Sequence, residues 1–142
     1  MLKEELVTYQ IHYISRIIKR HIDQATVKYG LTAEQGRIIL YLHQHNNDVV
    51  HLTDLESSFN LRKSTLTSTV NILEKNGYVI RTVENNDLRQ KRIVLTPLGE
   101  EKVQLLLNTF KLENDNAIKK LTNEESKELS RLLNKVLDSI NE

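Results

Sequence analysis

The sequence predicts a mainly α-helical fold carrying one small β-hairpin, with long helices at both ends of the chain. Three observations predict it. Apolar residues recur three and four positions apart over most of the 142 residues, which is the repeat of an amphipathic helix. Helix-start signatures stand in front of these runs, as at Thr32, Thr96 and Thr122. Between two β-prone segments lies the turn-forming cluster Glu84-Asn85-Asn86-Asp87, suited to closing an antiparallel hairpin.

The elements follow in order. Leu2, Leu6, Tyr9, Tyr13, Ile14, Ile17, Ile18 and Ile22 predict a first helix from about Lys3 to Lys28, stopped by Gly30. Thr32-Ala33-Glu34-Gln35 has the capping-box form and opens a second helix that buries Ile38, Ile39 and Leu42. His45 to Asp48 reads as a turn, Val49-Val50-His51 as a short strand, and Thr53 as the cap of a short third helix from Asp54 to Phe59. A fourth helix, Lys63 to Asn76, carries Leu66, Val70 and Leu73 on one face and ends at Asn76-Gly77, where glycine supplies a left-handed terminus. Tyr78 to Val83 and Arg92 to Leu95 form the hairpin. Thr96-Pro97 places a capping residue before a proline at the first helical position, so a long fifth helix runs from there to about Leu121. Thr122-Asn123-Glu124-Glu125 opens the last helix, with Leu129, Leu132, Leu133, Val136, Leu137 and Ile140. No linker or repeat divides the chain, which is expected to form one domain.

Composition excludes several classes of function. There is no cysteine, which removes disulfides, thiolate nucleophiles and cysteine-bound zinc. No apolar tract approaches membrane-spanning length, and MLKEELVTYQ lacks the pattern of a secretory signal, so no membrane association and a cytoplasmic location are expected. Neither a glycine-rich phosphate loop nor a paired-carboxylate or Ser-His-Asp frame is present, so no enzymatic activity and no cofactor are expected. His12, His21, His43, His45 and His51 lack the thiol or carboxylate partners of a metal centre, and no metal site is assigned.

Charge is distributed unevenly. The net charge is only +1, yet the stretch Arg62 to Arg92 holds seven cations against three anions, a local +4 that leaves −3 for the rest. This is the footprint of a nucleic-acid-binding surface. On the fourth helix the face opposite Leu66, Val70 and Leu73 presents Ser64, Ser68, Asn71 and Lys75. Short polar residues near a helix start suit a helix whose first turns approach base edges in a major groove, making Ser64, Thr65, Thr67 and Ser68 the candidate readers. Arg62 and Lys63 put two cations at the positive end of the helix dipole, each unfavourable by about 0.3–1 kcal/mol for the protein alone and favourable once a phosphate occupies that terminus. In the hairpin, Asp87 and Arg89 lie two residues apart, so the carboxylate is placed to hold an arginine suited to a narrow minor groove. Lys91 and Arg92 are expected to meet phosphates.

The chain resembles the MarR family of winged helix-turn-helix regulators in five blocks. Leu31 to Leu40 looks like the family's second helix, Leu61-Arg62-Lys63-Ser64-Thr65-Leu66-Thr67 like the start of its recognition helix, and Leu73 to Arg81 like its passage into the wing. Asp87-Leu88-Arg89-Gln90-Lys91-Arg92 is similar to its wing signature, and Leu95-Thr96-Pro97-Leu98-Gly99 to the start of its fifth helix. Many members carry Ser at the place of Arg62 and a basic residue at that of Ser68, so base preference does not transfer.

The resemblance implies a single winged module over residues 31–97, with dimerisation helices at 1–30 and 98–142. It also implies a homodimeric repressor that binds a pseudo-palindromic double-stranded operator and is released by a ligand. The dimer is supported independently by terminal helices with more leucine and isoleucine than a small module can cover. For a small aromatic or anionic effector, Tyr13, Arg16, Arg20 and Tyr41 are the candidates, arginine pairing with a carboxylate and tyrosine facing a ring. The competing expectation is a winged-helix module that docks proteins without specific DNA binding.

Overall fold

The computed structural model describes residues 5–84 and 87–141, with the backbone alone for residues 84 and 87–90. Helix α1 spans Val7–Thr26 and runs into a 3-10 turn, Val27–Tyr29, closed by Gly30 at φ 73°. The expected start at Lys3 lies outside the described residues. Thr32 caps α2, Ala33–Gln44: its hydroxyl accepts from Gln35 N at 3.2 Å, and the Gln35 side chain accepts from Thr32 N at 3.1 Å. Asp23 of α1 accepts from Ala33 N at 2.7 Å, joining the end of the first helix to the start of the second.

Two expectations between α2 and the hairpin need correction. Helix α3 is Leu52–Phe59, beginning two residues before Asp54, because His51 N donates to Asp54 Oδ2 at 2.7 Å and so makes His51, not Thr53, the cap position. Val49-Val50-His51 forms no strand. The Val50 carbonyl instead accepts a single bond from Ile93 N, at 2.9 Å, on the outer edge of the hairpin. That bond fastens the segment to the hairpin without extending the sheet.

Helix α4, Lys63–Lys75, ends with Tyr78 N bonded to Leu73 O and Gly77 N to Glu74 O, while Gly77 sits at φ 83°. These paired closing bonds require the left-handed residue found there. Strands β1, Val79–Glu84, and β2, Asp87–Leu95, form an antiparallel pair. Val79 faces Leu95, Arg81 faces Ile93 and Val83 faces Lys91, and the register breaks between Val83 and Glu84.

Helix α5 spans Pro97–Ala117, four residues shorter than expected; Ile118 to Leu121 instead makes the turn that delivers Thr122 to cap α6, Asn123–Ile140. Thr96 closes the base of the hairpin from three sides. Its hydroxyl donates to Gly77 O at 2.6 Å and accepts from Gly99 N at 3.1 Å, and its N–H donates to Tyr78 O at 3.0 Å. Gly99 permits this approach, since a Cβ there would collide with the Tyr78 carbonyl oxygen.

The core gathers Ile38, Ile39 and Leu42 of α2, Leu55 of α3, Leu66, Val70 and Leu73 of α4, Val79 and Ile93 of the hairpin, and Val103 and Leu106 of α5. Helix α6 contributes no buried residue. Its stripe Leu129, Leu132, Leu133 and Val136 instead borders an apolar cleft of about 740 Å³ opposite Val7, Ile11, Ile14 and Ile18 of α1. No helix among the described residues is long and apolar enough to cross a membrane.

Candidate nucleic-acid interface

The buried stripe of α4 fixes what the helix presents outward. With Leu66, Val70 and Leu73 fully buried, Arg62, Lys63, Ser64, Thr65, Ser68 and Asn71 are exposed. Thr67, also a candidate reader, is half-buried on the flank of the stripe. Arg62 holds the cap position in extended conformation, makes no side-chain capping bond, and is followed by a first turn with no acidic residue. The first amides of α4 are therefore left for an anion, with two cations beside them.

The hairpin register sorts the wing residues. Val79, Arg81 and Val83 alternate onto one face together with their partners Leu95, Ile93 and Lys91. Val79 and Ile93 of that face enter the core, and Arg81 reaches α4, where its Nη2 donates to Asn71 Oδ1 at 2.6 Å. Lys91 is exposed one step nearer the tip on the same face. Arg92, opposite Thr82, points the other way and lines a small hollow of about 50 Å³ with His45, Asp48 and Glu100. Lys91 and Arg92, expected to act alike, thus stand on opposite faces. The Asp87 and Arg89 side chains, and with them the expected arginine clamp, lie outside the described residues.

The effector candidates are only partly brought together. Tyr13 lines the cleft between α1 and α6, and Arg16 and Arg20 are exposed on α1, outside that lining. Tyr41 is elsewhere: it stacks on His45 at 4.1 Å, meets the edge of Phe59 at 5.6 Å, and its hydroxyl accepts from Ser58 at 3.1 Å. That packing joins α2 to α3.

Pairs between distant elements are absent from the sequence reading. His21 Nδ1 lies 3.0 Å from Glu113 and His43 Nδ1 lies 2.9 Å from Glu100, so α5 is tied to both α1 and α2. The charge pattern marks Arg81 as a cation, not as the partner of Asn71. No local pattern marks such pairs, because each depends on how two elements dock.

Known proteins match the same architecture. The model of the MarR family matches residues 31–91, which hold α2, α3, α4 and most of the hairpin. The transcriptional regulator BilQ of Clostridioides difficile is 27% identical over 137 residues, covering 96% of this chain and 91% of that protein. MepR of Staphylococcus aureus, in its complex with DNA, is 26% identical and superposes with a TM-score of 0.86 over 96% of this chain and 98% of its own. Over residues 31–91 the chain is similar to the MarR family. These matches make the chain a transcriptional regulator of the winged helix-turn-helix type, with α4 as the second helix of the helix-turn-helix. A further crystal structure of MepR, described as a regulator of the multidrug efflux pump MepA, superposes with a TM-score of 0.68 over 94% of this chain and 98% of its own.

Proposed function

We propose that this chain acts in the cytoplasm as a homodimeric, non-enzymatic repressor that binds a pseudo-palindromic double-stranded operator. One observation carries the reading: the uncapped, cation-flanked start of α4 stands beside short exposed polar side chains and a hairpin bonded to the same helix. Ser64, Thr65 and Ser68, with Thr67 at the flank, meet base edges in the major groove. Arg62, Lys63 and Lys91 meet phosphates, and the wing tip with Asp87 and Arg89 enters the neighbouring minor groove. Arg92, turned toward Asp48 and Glu100, adds charge at longer range.

Dimerisation uses the apolar stripes of α1 and α6. An open cleft of about 740 Å³ bordered by leucine and isoleucine is the surface a second copy covers, and two-fold pairing presents two recognition helices to successive major grooves about 10 bp apart. The effector reading rests on α1, where Tyr13, Arg16 and Arg20 share one helix face. Tyr41 is committed to Phe59, His45 and Ser58.

The deciding experiment measures affinity for a fragment selected from a genomic library as salt is varied. Removing one phosphate-binding cation, as in Lys63→Ala, lowers the slope of log affinity against log salt by about 0.9. Unchanged slopes for Arg62→Ala, Lys63→Ala and Lys91→Ala would overturn the assignment and favour a protein-docking module.

A further inference from the structure

We infer that Asn71 is a positioning residue that sets the angle of the hairpin through Arg81 and does not itself read a base. The inference rests on the DNA-binding reading above, and it gives a task to a residue that the sequence places only on the exposed face of the DNA-binding helix.

An asparagine reads adenine through both ends of its amide, the oxygen accepting from N6 and the nitrogen donating to N7. In this structure Oδ1 already accepts from Arg81 Nη2 at 2.6 Å, so half of that pair is committed within the protein. Position along the helix agrees. Asn71 lies eight residues beyond Lys63, about 12 Å along the axis, whereas base edges are met by the first turns of a recognition helix.

The bond has a mechanical task available to it. Thr96 pins the base of the hairpin to Gly77 and Tyr78, and Ile93 N pins the outer edge of β2 to Val50 O. Neither attachment joins the hairpin to the exposed face of α4. Arg81, half-way along β1 and opposite Ile93, supplies that third point. A rod held at its base and one edge can still swing toward or away from the helix; the third point removes the swing. Lys91 follows on the same face, one step closer to the tip, so its distance from α4 is set by this bond.

The test uses the full-length protein carrying Asn71→Ala, Arg81→Ala and both changes, with three readouts. Loss of one exposed hydrogen bond is expected to weaken operator binding about threefold to tenfold for Asn71→Ala, and the double variant should bind no more weakly than Arg81→Ala. Sequence selection with Asn71→Ala should keep the major-groove preferences and relax only the steps flanking them, where the wing sits. Without DNA, backbone amides of β1 near Arg81 should exchange about threefold to tenfold faster in Asn71→Ala while those of α2 stay unchanged. Additive affinity losses, an altered major-groove preference, or unaltered exchange in β1 would each overturn the inference. Faster exchange in β1 together with salt slopes indifferent to Arg62→Ala and Lys63→Ala would instead strike the DNA-binding reading and leave the coupling standing.

Discussion

The winged module and the terminal helices bury their apolar residues in opposite ways. Leu66 in α4 is 0% exposed and belongs to a core cluster drawn from α2, α3, α4, α5 and the hairpin, so that core is closed within one chain. Leu133 in α6 is 43% exposed and Ile14 in α1 is 54% exposed, although both helices are as regularly patterned as α4. Amphipathic periodicity shows which face of a helix wants cover; it does not show whether the cover comes from the same chain. On the dimer reading proposed above, the difference divides the molecule into a part that is stable by itself and a part that a second copy stabilises.

The most disruptive test of this division truncates a leucine in each region. Leu66→Ala is expected to cost about 2–5 kcal/mol, read by chemical denaturation as a loss that does not vary with protein concentration. Leu133→Ala should cost about 1–3 kcal/mol per subunit, appearing in sedimentation equilibrium as weaker dimerisation, with the unfolding midpoint now depending more steeply on concentration. Equal, concentration-independent losses would erase the distinction.

A finer test concerns the wing. Lys91→Ala should reduce the salt slope of DNA binding by about 0.9, the change that accompanies removal of a single phosphate-bound cation. Arg92→Ala should reduce it by clearly less, because the register sends Arg92 to the other face. Equal slopes for the two would mean that the hairpin rotates on binding.

The smallest expected effect lies at the joint between the two regions. Burial raises the Asp23 carboxyl, but the Lys19 ammonium and the Ala33 N–H bond lower it more, with Lys19 and Arg37 charges adding to them, and the net result lies below the ordinary 3.8. A carboxyl lowered by folding stabilises the native state fully above its unfolded value, and that contribution fades as pH falls through the folded value. Asp23→Asn should therefore cost about 1 kcal/mol near neutrality and progressively less below pH 3.8, measured by denaturant unfolding at each pH. A constant difference across that range would remove the carboxylate from the account.

How much of the molecule is legible in the sequence follows how local the chemistry is. The Thr32 and Thr122 caps, the Gly77 terminus, Pro97 and the buried stripe of α4 each depend on residues within a few positions, and the structure has them where the sequence puts them. The start of α3 is misplaced by the sequence, where Thr53 is the expected cap; the bond from His51 N to the Asp54 side chain puts the cap two residues earlier. Val49-Val50-His51 has the residue types of a strand but meets the hairpin through Val50 O and Ile93 N without forming a ladder. At the interface, the helix wheel gives the exposed residues of α4. It does not give the Asn71–Arg81 bond or the opposite facing of Lys91 and Arg92, since both follow from strand register and docking across the Gly77 turn.

The grip of Thr96 on Gly77 and Tyr78 has a further consequence, best put as leverage. Helix α5 spans 21 residues, about 31 Å at 1.5 Å per residue, and one end is fastened to the seam between α4 and the hairpin. A tilt of roughly 5° about its far end would carry that seam sideways by about 3 Å, the length of a hydrogen bond. Recognition helix and wing would move together, as one tooth on the end of a lever. The separation of probes placed on the two wings of a dimer would report the stroke directly.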